Sequence, residues 1–273
     1  MSRPGIGKVY FIGAGPGDPE LITVKGKRLI EEADLILYTD SLVNPEVLRG
    51  AKSEARIEKS SGLTLEEIAG RMIDAAEQGQ RVARVHTGDP SVFGAILEQA
   101  ARLDAAGIPW EIVPGVSSVF AAAAVLGAEL TVPEVTQTVI LTRAAGRTPV
   151  PPGEELTALA RHRSTLALFL SAGLMGDVRN ALRQAGWEDN IAVAAVYKAT
   201  WPDQVVVRST LGRIVEDMRD AQIRSHALIL AGPALDPGLR RPDGPKSRLY
   251  DPTFAHRYRR AVRAGDAPGG EEP

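Results

Sequence analysis

The stretch Val9-Tyr10-Phe11-Ile12-Gly13-Ala14-Gly15-Pro16-Gly17-Asp18-Pro19-Glu20-Leu21-Ile22-Thr23 carries the chain from an apolar run through a glycine loop towards a helix. A strand over Val9–Ile12, a helix over Thr23–Ala33 and a second strand over Asp34–Tyr38 predict a crossover unit, two parallel strands joined by a helix. The glycine loop at the end of the first strand invites a dinucleotide reading, with Asp40 standing where a ribose-binding acid would be. The spacing argues against it. Gly13 and Gly15 fill the first two positions of G-x-G-x-x-G, but Asp18 holds the third and Gly17 is out of register. Pro16 and Pro19 lack the backbone N–H groups that a pyrophosphate cradle needs, and the Asp18 carboxylate repels phosphate. No Gly-Lys-Ser/Thr follows, so a Walker loop is excluded as well.

Outward from this unit the alternation continues. A helix is expected over Leu65–Gln78, where Thr64 followed by Glu66 and Glu67 is a start signal. A strand over Arg81–His86, a helix over Val92–Ala106, a strand over Trp110–Val113 and an Ala-rich helix over Ser117–Leu126 follow, the pattern of an α/β fold with a mainly parallel sheet. After Pro133 the pattern restarts with strands over Thr138–Thr142, Thr165–Leu170 and Ile191–Tyr197 and a helix over Leu174–Gln184. Trp201-Pro202-Asp203 reads as a turn leading into the alternating strand Gln204–Thr210, so a hairpin and a mixed second sheet are expected. A helix over Leu211–Ala221 and a strand over Ala227–Ala231 complete it. The expected organisation is two α/β domains, 1–132 and 133–238, with a polar, flexible tail over 239–273 whose last part, Gly265–Pro273, reads as disordered.

With 273 residues, 44% apolar and 24% charged, the composition is that of an ordered globular protein too long for one average domain. Thirty-two basic against 34 acidic side chains leave no positive excess to attract nucleic acid or a membrane surface. The absence of Cys removes disulfides, thiolate ligands and a cysteine nucleophile. His86, His162, His226 and His256 show no ligand spacing, so no protein-held metal is expected. No apolar run reaches membrane-spanning length, and no apolar signal core stands at the start, so a cytoplasmic, soluble protein is expected.

Three motifs occur together and in order: GAGPGDPELITVKG over 13–26, HTGDPSVFG over 86–94 and VPGVSSVFAAAA over 113–124. On these the chain resembles the tetrapyrrole (corrin/porphyrin) methyltransferases that use S-adenosylmethionine, over residues 8–237. The stretches YTDSLVNPEVL at 38–48, LTRAAGRTPVP at 141–151, VYKATWPDQ at 196–204 and ALILAGPALDP at 227–237 narrow the resemblance within that family. It implies methyl transfer to C-11 of precorrin-4 or cobalt-precorrin-4 in cobalamin biosynthesis. Another corrin or uroporphyrinogen acceptor is the alternative, and an NAD-dependent dehydrogenase is a remote one. The resemblance also implies a cofactor cleft between the two domains and a homodimer.

Residue by residue, it implies that Pro16, Gly88, Asp89, Val92, Ser117, Ser118, Leu170, Ala199 and Ala231 surround S-adenosylmethionine. Two of these have plainer structural readings: Asp89 as the cap of the following helix, and Ser117 as the N-cap of the next. The acceptor's acetate and propionate arms call for guanidinium groups. Arg143 and Arg147, in a Gly- and Pro-rich loop, are the candidates, with Arg84 and His86 behind them. Asp40 and Ser41 are candidates for hydrogen-bonding a pyrrole nitrogen or taking a proton. Glu98 matches an acid of the uroporphyrinogen methyltransferases, but Ala95 stands where those enzymes carry an Arg. No general base is singled out.

Overall fold

The computed structural model describes residues 5–261, so the expectation for Gly265–Pro273 falls outside the described residues. Strands β1 (Val9–Gly13), β2 (Leu35–Tyr38), β3 (Arg56–Lys59), β4 (Val82–His86) and β5 (Trp110–Val113) form one sheet in the order β3-β2-β4-β1-β5. Every pairing in it is parallel. All five strands therefore end on one edge, and the loops after Gly13, Tyr38, Lys59, His86 and Val113 meet there. Period-2 alternation sends Val9, Phe11, Leu35, Leu37 and Val82 to one face, under α2 (Leu65–Glu77) and α3 (Ile96–Ala106). Ile12, Ile36, Tyr38, Ala83 and Val85 point the other way, under α1 (Val24–Glu31).

Local chemistry accounts for the boundaries. Thr64 and Glu67 close a reciprocal capping box at the start of α2. The helix expected from Val92 begins only at Ile96, because Phe93 (φ 55°) and Ala95 (φ 49°) lie in the left-handed region, which a right-handed helix cannot contain. Strand β3 was not anticipated: Arg-Ile-Glu-Lys is a mostly exposed edge segment with no buried side chain, so it carries no hydrophobic pattern to read.

The second sheet holds β6 (Val139–Arg143), β7 (Thr165–Phe169), β8 (Ala192–Tyr197), β9 (Val205–Thr210) and β10 (Ala227–Ala231) in the order β6-β7-β10-β8-β9. β6 and β7 are parallel, and the remaining pairs are antiparallel, which makes the sheet mixed. The β8–β9 hairpin closes through Trp201-Pro202-Asp203, with Tyr197 opposite Val205. One face carries Leu166, Leu168, Val193, Ala195, Ile229 and Ala231 against α5 (Leu156–Ala160), α6 (Met175–Gln184) and α7 (Ile214–Asp220).

The other face, with Ala167, Ala194, Val196, Leu228 and Leu230, is covered by α4 (Ser118–Leu126). This helix follows directly from β5 of the first sheet, yet its Val119, Ala121, Ala122 and Leu126 pack on the second. Its small residues let it lie close to the strands. Arg208 and Arg240 donate to the carbonyls of Val125, Leu126 and Gly127 at its C-terminal end. α4 thus joins the two sheets.

Candidate active site

Three glycines meet where β1, β4 and β5 end. A Cβ on Gly13 would lie 2.5 Å from the Gly88 carbonyl oxygen and 2.7 Å from Gly115 Cα. One on Gly115 would lie 2.2 Å from that same oxygen. Only hydrogen fits at either position. Gly15 and Gly88 exchange both backbone hydrogen bonds (N–H to O 3.3 and 2.8 Å), and the Ala14 N–H donates to the His86 carbonyl at 2.8 Å. The junction is a wall of close-packed backbone at the carboxyl edge of a parallel sheet, where ligands of such sheets bind.

Asp89 locks this wall. Its Oδ2 accepts the Gly115 N–H at 2.9 Å, and its Oδ1 accepts the Ser91 N–H at 2.8 Å. It therefore ties the end of β4 to the end of β5 and stabilises a local turn; it does not cap α3, which starts seven residues later at Ile96. Ser117 is the N-cap of α4, accepting from the Val119 N–H at 3.5 Å. The Ser118 hydroxyl makes no hydrogen bond among the described residues. Pro16 is buried, and Val92 lies in the turn after Asp89, its N–H on the Asp89 carbonyl at 3.3 Å.

The second sheet presents one end to this wall. Phe93 of the first half stacks on Phe169 of β7 at a ring separation of 5.0 Å. The next residue, Leu170, has φ 53° and is 70% exposed, an apolar side chain held outward on strained backbone. Ala199 is buried between Lys198 (φ 44°) and Thr200 (φ 69°). A β-branched residue in the left-handed region is a true outlier, costing ~1–3 kcal/mol, and such strain gathers at functional sites. Ala231 is placed apart from these. It pairs with Leu166 and Val193, at the opposite end of the sheet from Leu170 and Ala199, and faces α5–α7. A cavity of 1540 Å³ lies on that far side, beneath residues 245–252 and beside Arg208 and Arg240, away from the glycine junction.

The polar candidates divide. Arg143 donates to the carbonyls of Ala144 (3.3 Å), Thr148 (3.1 Å) and Pro149 (2.6 Å), so its guanidinium shapes its own loop. Arg147 is exposed on that loop, which abuts Leu174 and Ser171, near Leu170. Arg84 is 5% exposed, and its acceptors are all neutral: Gln99 Oε1 at 3.0 Å, Ser60 Oγ at 3.0 Å, the Leu37 carbonyl at 3.3 Å and Thr39 Oγ1 at 3.5 Å. No carboxylate forms an ion pair with it among the described residues, and burial alone pushes its pKa down to about 10, so it stays charged at neutral pH. Beside it, His86 Nε2 is buried without a partner; burial first and the Arg84 charge second push this imidazole down to about 3, so it is neutral.

Asp40 stands at the end of β2 near this pair. Its Oδ1 accepts the Ser61 N–H at 3.1 Å, and its pKa lies below the usual carboxylate value, chiefly through Ser61. Ser41 is exposed, and Glu98 is an exposed residue in the first turn of α3. The edge thus has two sides: backbone and small residues at the ends of β1, β4 and β5, and Asp40 and Ser60 just past the ends of β2 and β3, with Arg84 buried in the middle of β4 and reaching Ser60 from there.

The sequence reading missed the clasp that joins the halves. The Trp201 indole N–H donates to the Pro16 carbonyl at 2.9 Å, and the Asp18 N–H donates to Thr200 Oγ1 at 2.9 Å. From below, Asn44 Nδ2 donates to the Gly17 carbonyl at 2.8 Å. The available signal was the Trp itself, a residue whose bulk is seldom left unburied in a turn.

The sequence pattern of the tetrapyrrole (corrin/porphyrin) methylases matches residues 8–215. The chain is 53% identical over 257 residues to the cobalt-precorrin-4 C(11)-methyltransferase of Priestia megaterium, covering 94% of this chain and 99% of that one. Among solved structures it is similar to a cobalt precorrin-4 methyltransferase, a cobalamin biosynthetic enzyme, at 55% identity and a TM-score of 0.83, covering 84% of this chain and 96% of that one. It is also similar to the uroporphyrin-III C-methyltransferase of Thermus thermophilus complexed with S-adenosylhomocysteine, at 31% identity and a TM-score of 0.71, covering 84% and 99%.

Proposed function

This chain belongs to the tetrapyrrole (corrin/porphyrin) methylases, and on that premise we propose that it transfers the methyl group of S-adenosylmethionine to C-11 of precorrin-4 or cobalt-precorrin-4 in cobalamin biosynthesis. The observation that carries the reading is the two-sided edge. Its backbone wall suits a zwitterionic nucleoside, and its buried Arg84, which pairs with no carboxylate among the described residues, suits an acceptor that brings its own carboxylates.

The residues present fit the methyl donor. A purine needs flat apolar contact, which Leu170 and Ala199 offer beside the close-packed wall of Gly88 and Gly115. Pro16, Asp89 and Val92 frame the same side, and Ser117 and Ser118 bring hydroxyls to it. S-adenosylmethionine supplies an electrophilic methyl on a sulfonium, whose positive charge is lost on transfer. The chain's own work is positioning and exclusion of water, worth up to ~7–11 kcal/mol for well-aligned reactants. No side-chain nucleophile is called for. Asp40, ionised at neutral pH, is the acceptor placed to receive an N–H or proton from the macrocycle. Arg84, with Arg147 on the opposite loop, orients the carboxylate arms.

The test is incubation with S-adenosylmethionine carrying a labelled methyl carbon and precorrin-4, followed by NMR of the product. A methyl on C-11 supports the proposal, and one on another carbon replaces the acceptor position while leaving the family intact. We extend the proposal to a cytoplasmic homodimer. What supports the dimer is an apolar groove between α4 and the edge strand β6, lined by Val119, Phe120, Ala123, Leu130, Val139 and Leu141, with Phe120 and Leu141 exposed. A monomer mass by light scattering at micromolar concentration would reject it.

A further inference from the structure

Within the stretch VYKATWPDQ, the Trp201 turn is left unused by the chemistry above. It crosses from the second sheet to the glycine loop of the first. Trp201 lies directly on Gly17, so that a Cβ there would sit 2.1 Å from the indole Cδ1. The indole N–H holds the Pro16 carbonyl at 2.9 Å, and the neighbouring Thr200 hydroxyl holds the Asp18 N–H at 2.9 Å. The turn is itself braced. Lys198 Nζ sits 5.4 Å from the Tyr197 ring and 5.2 Å from the Trp201 ring, and it pairs with Asp203. The Thr200 N–H donates to Gln204 Oε1 at 2.7 Å.

Two consequences follow from this bracing. The strained backbone of Lys198 and Thr200 is braced within the turn and, through Thr200 and Trp201, fastened to the glycine loop. Ala199, between those two residues, and Pro16, under the indole, are then fixed relative to each other although they come from opposite sides of the cleft. We propose that Trp201 is a positioning residue for methyl transfer: with Thr200 it clasps the glycine loop to the second sheet and so sets the width of the methyl-donor cleft. The proposal rests on the methyltransferase reading above. It adds that donor affinity and turnover depend on a hydrogen bond that touches neither the donor nor the acceptor.

Trp201→Phe keeps a ring over Gly17 and removes only the N–H donor. The expected result, per folded molecule, is S-adenosylhomocysteine affinity weakened about tenfold, the size of one modest hydrogen bond, with kcat lowered in parallel. The KM for the tetrapyrrole should stay within about twofold, because the Arg84 side of the edge is untouched. Gly17→Ala, which pushes the indole off the loop, should produce the same pattern, and adding Trp201→Phe to it should cost little more, as for two changes in one device. Thr200→Ser keeps the hydroxyl and should behave as wild type. Circular dichroism of each variant fixes the folded fraction. Wild-type affinity and kcat in Trp201→Phe would overturn the proposal, as would a lowered Tm with unchanged affinity, the signature of a merely structural contact. Failure of the methyltransferase reading looks different, since the wild-type protein itself would then neither bind S-adenosylhomocysteine nor methylate.

Discussion

At the scale of single residues, the site depends on polar groups whose partners come from other strands. Asp89 is the plainest example, since one carboxylate takes the N–H of Ser91 and that of Gly115, 26 positions away. Asp89→Ala leaves the partly buried Gly115 N–H without its acceptor and should cost ~1–3 kcal/mol in urea unfolding. S-adenosylhomocysteine affinity per folded molecule should fall too, because the β5 end carrying Ser117 and Ser118 is released. Unchanged affinity would confine Asp89 to joining strands. His86 makes a different prediction. Its folded pKa of about 3 lies below the ordinary 6.5, so between those values the unfolded chain binds a proton that the folded chain does not. Stability from this group is therefore full above pH 6.5 and is lost as pH falls towards 3, with a slope of up to about 1.4 kcal/mol per pH unit. His86→Leu should flatten the fall in urea-unfolding stability between pH 6.5 and 5, and an unchanged slope would refute the assignment.

At the scale of elements, backbone geometry at strand ends matters more than helix propensity. Gly115→Ala places a Cβ 2.2 Å from the Gly88 carbonyl oxygen, and neither β4 nor β5 can move without breaking its ladder to β1. A loss of more than ~3 kcal/mol is expected, and chemical denaturation measures it. Ala95 is the converse case. It precedes α3 with φ 49° and makes no side-chain cap, so Ala95→Gly should relieve strain and raise stability by ~1 kcal/mol. A lowered Tm for that variant would show that its Cβ packs favourably. The sequence made α3 visible through its apolar period but placed its start at Val92. Left-handed residues at 93 and 95 have no pattern of their own when they are Phe and Ala instead of Gly or Asn.

At the scale of the whole molecule, the ends of the two sheets meet at one site, and residues of both sheets face it. On the proposed reading, the glycine wall, Leu170 and Ala199 serve the methyl donor, while Arg84 with Arg147 serves the carboxylates of the acceptor. Arg84→Gln keeps a donor for Ser60 or the Leu37 carbonyl and removes the charge. Tetrapyrrole binding should weaken by about 1.5–3 kcal/mol, the value of a charge-assisted hydrogen bond, with S-adenosylhomocysteine affinity nearly intact. A pair of titrations on this one variant checks it. If both affinities fall together, the two sides are not separate sites.

What the sequence by itself determined is whatever local pattern encodes: the strand–loop–helix unit at Val9–Ala33, the restart after Pro133, the hairpin at Trp201–Asp203, and a glycine loop unfit for phosphate because of Pro16, Pro19 and Asp18. The motif set also identified the family. Only the tertiary structure decided which side chains meet. It placed α4 on the second sheet although it follows β5 of the first, put Ala231 at the far end from Leu170, gave Arg143 to its own loop, and left Arg84 buried with no carboxylate partner among the described residues. It also joined Trp201 to Pro16, 185 positions apart. Hydrophobic period and turn chemistry act over a few neighbouring residues, so a sequence displays them directly. A hydrogen bond between distant loops depends on the packing of both sheets at once, and no local spacing records it.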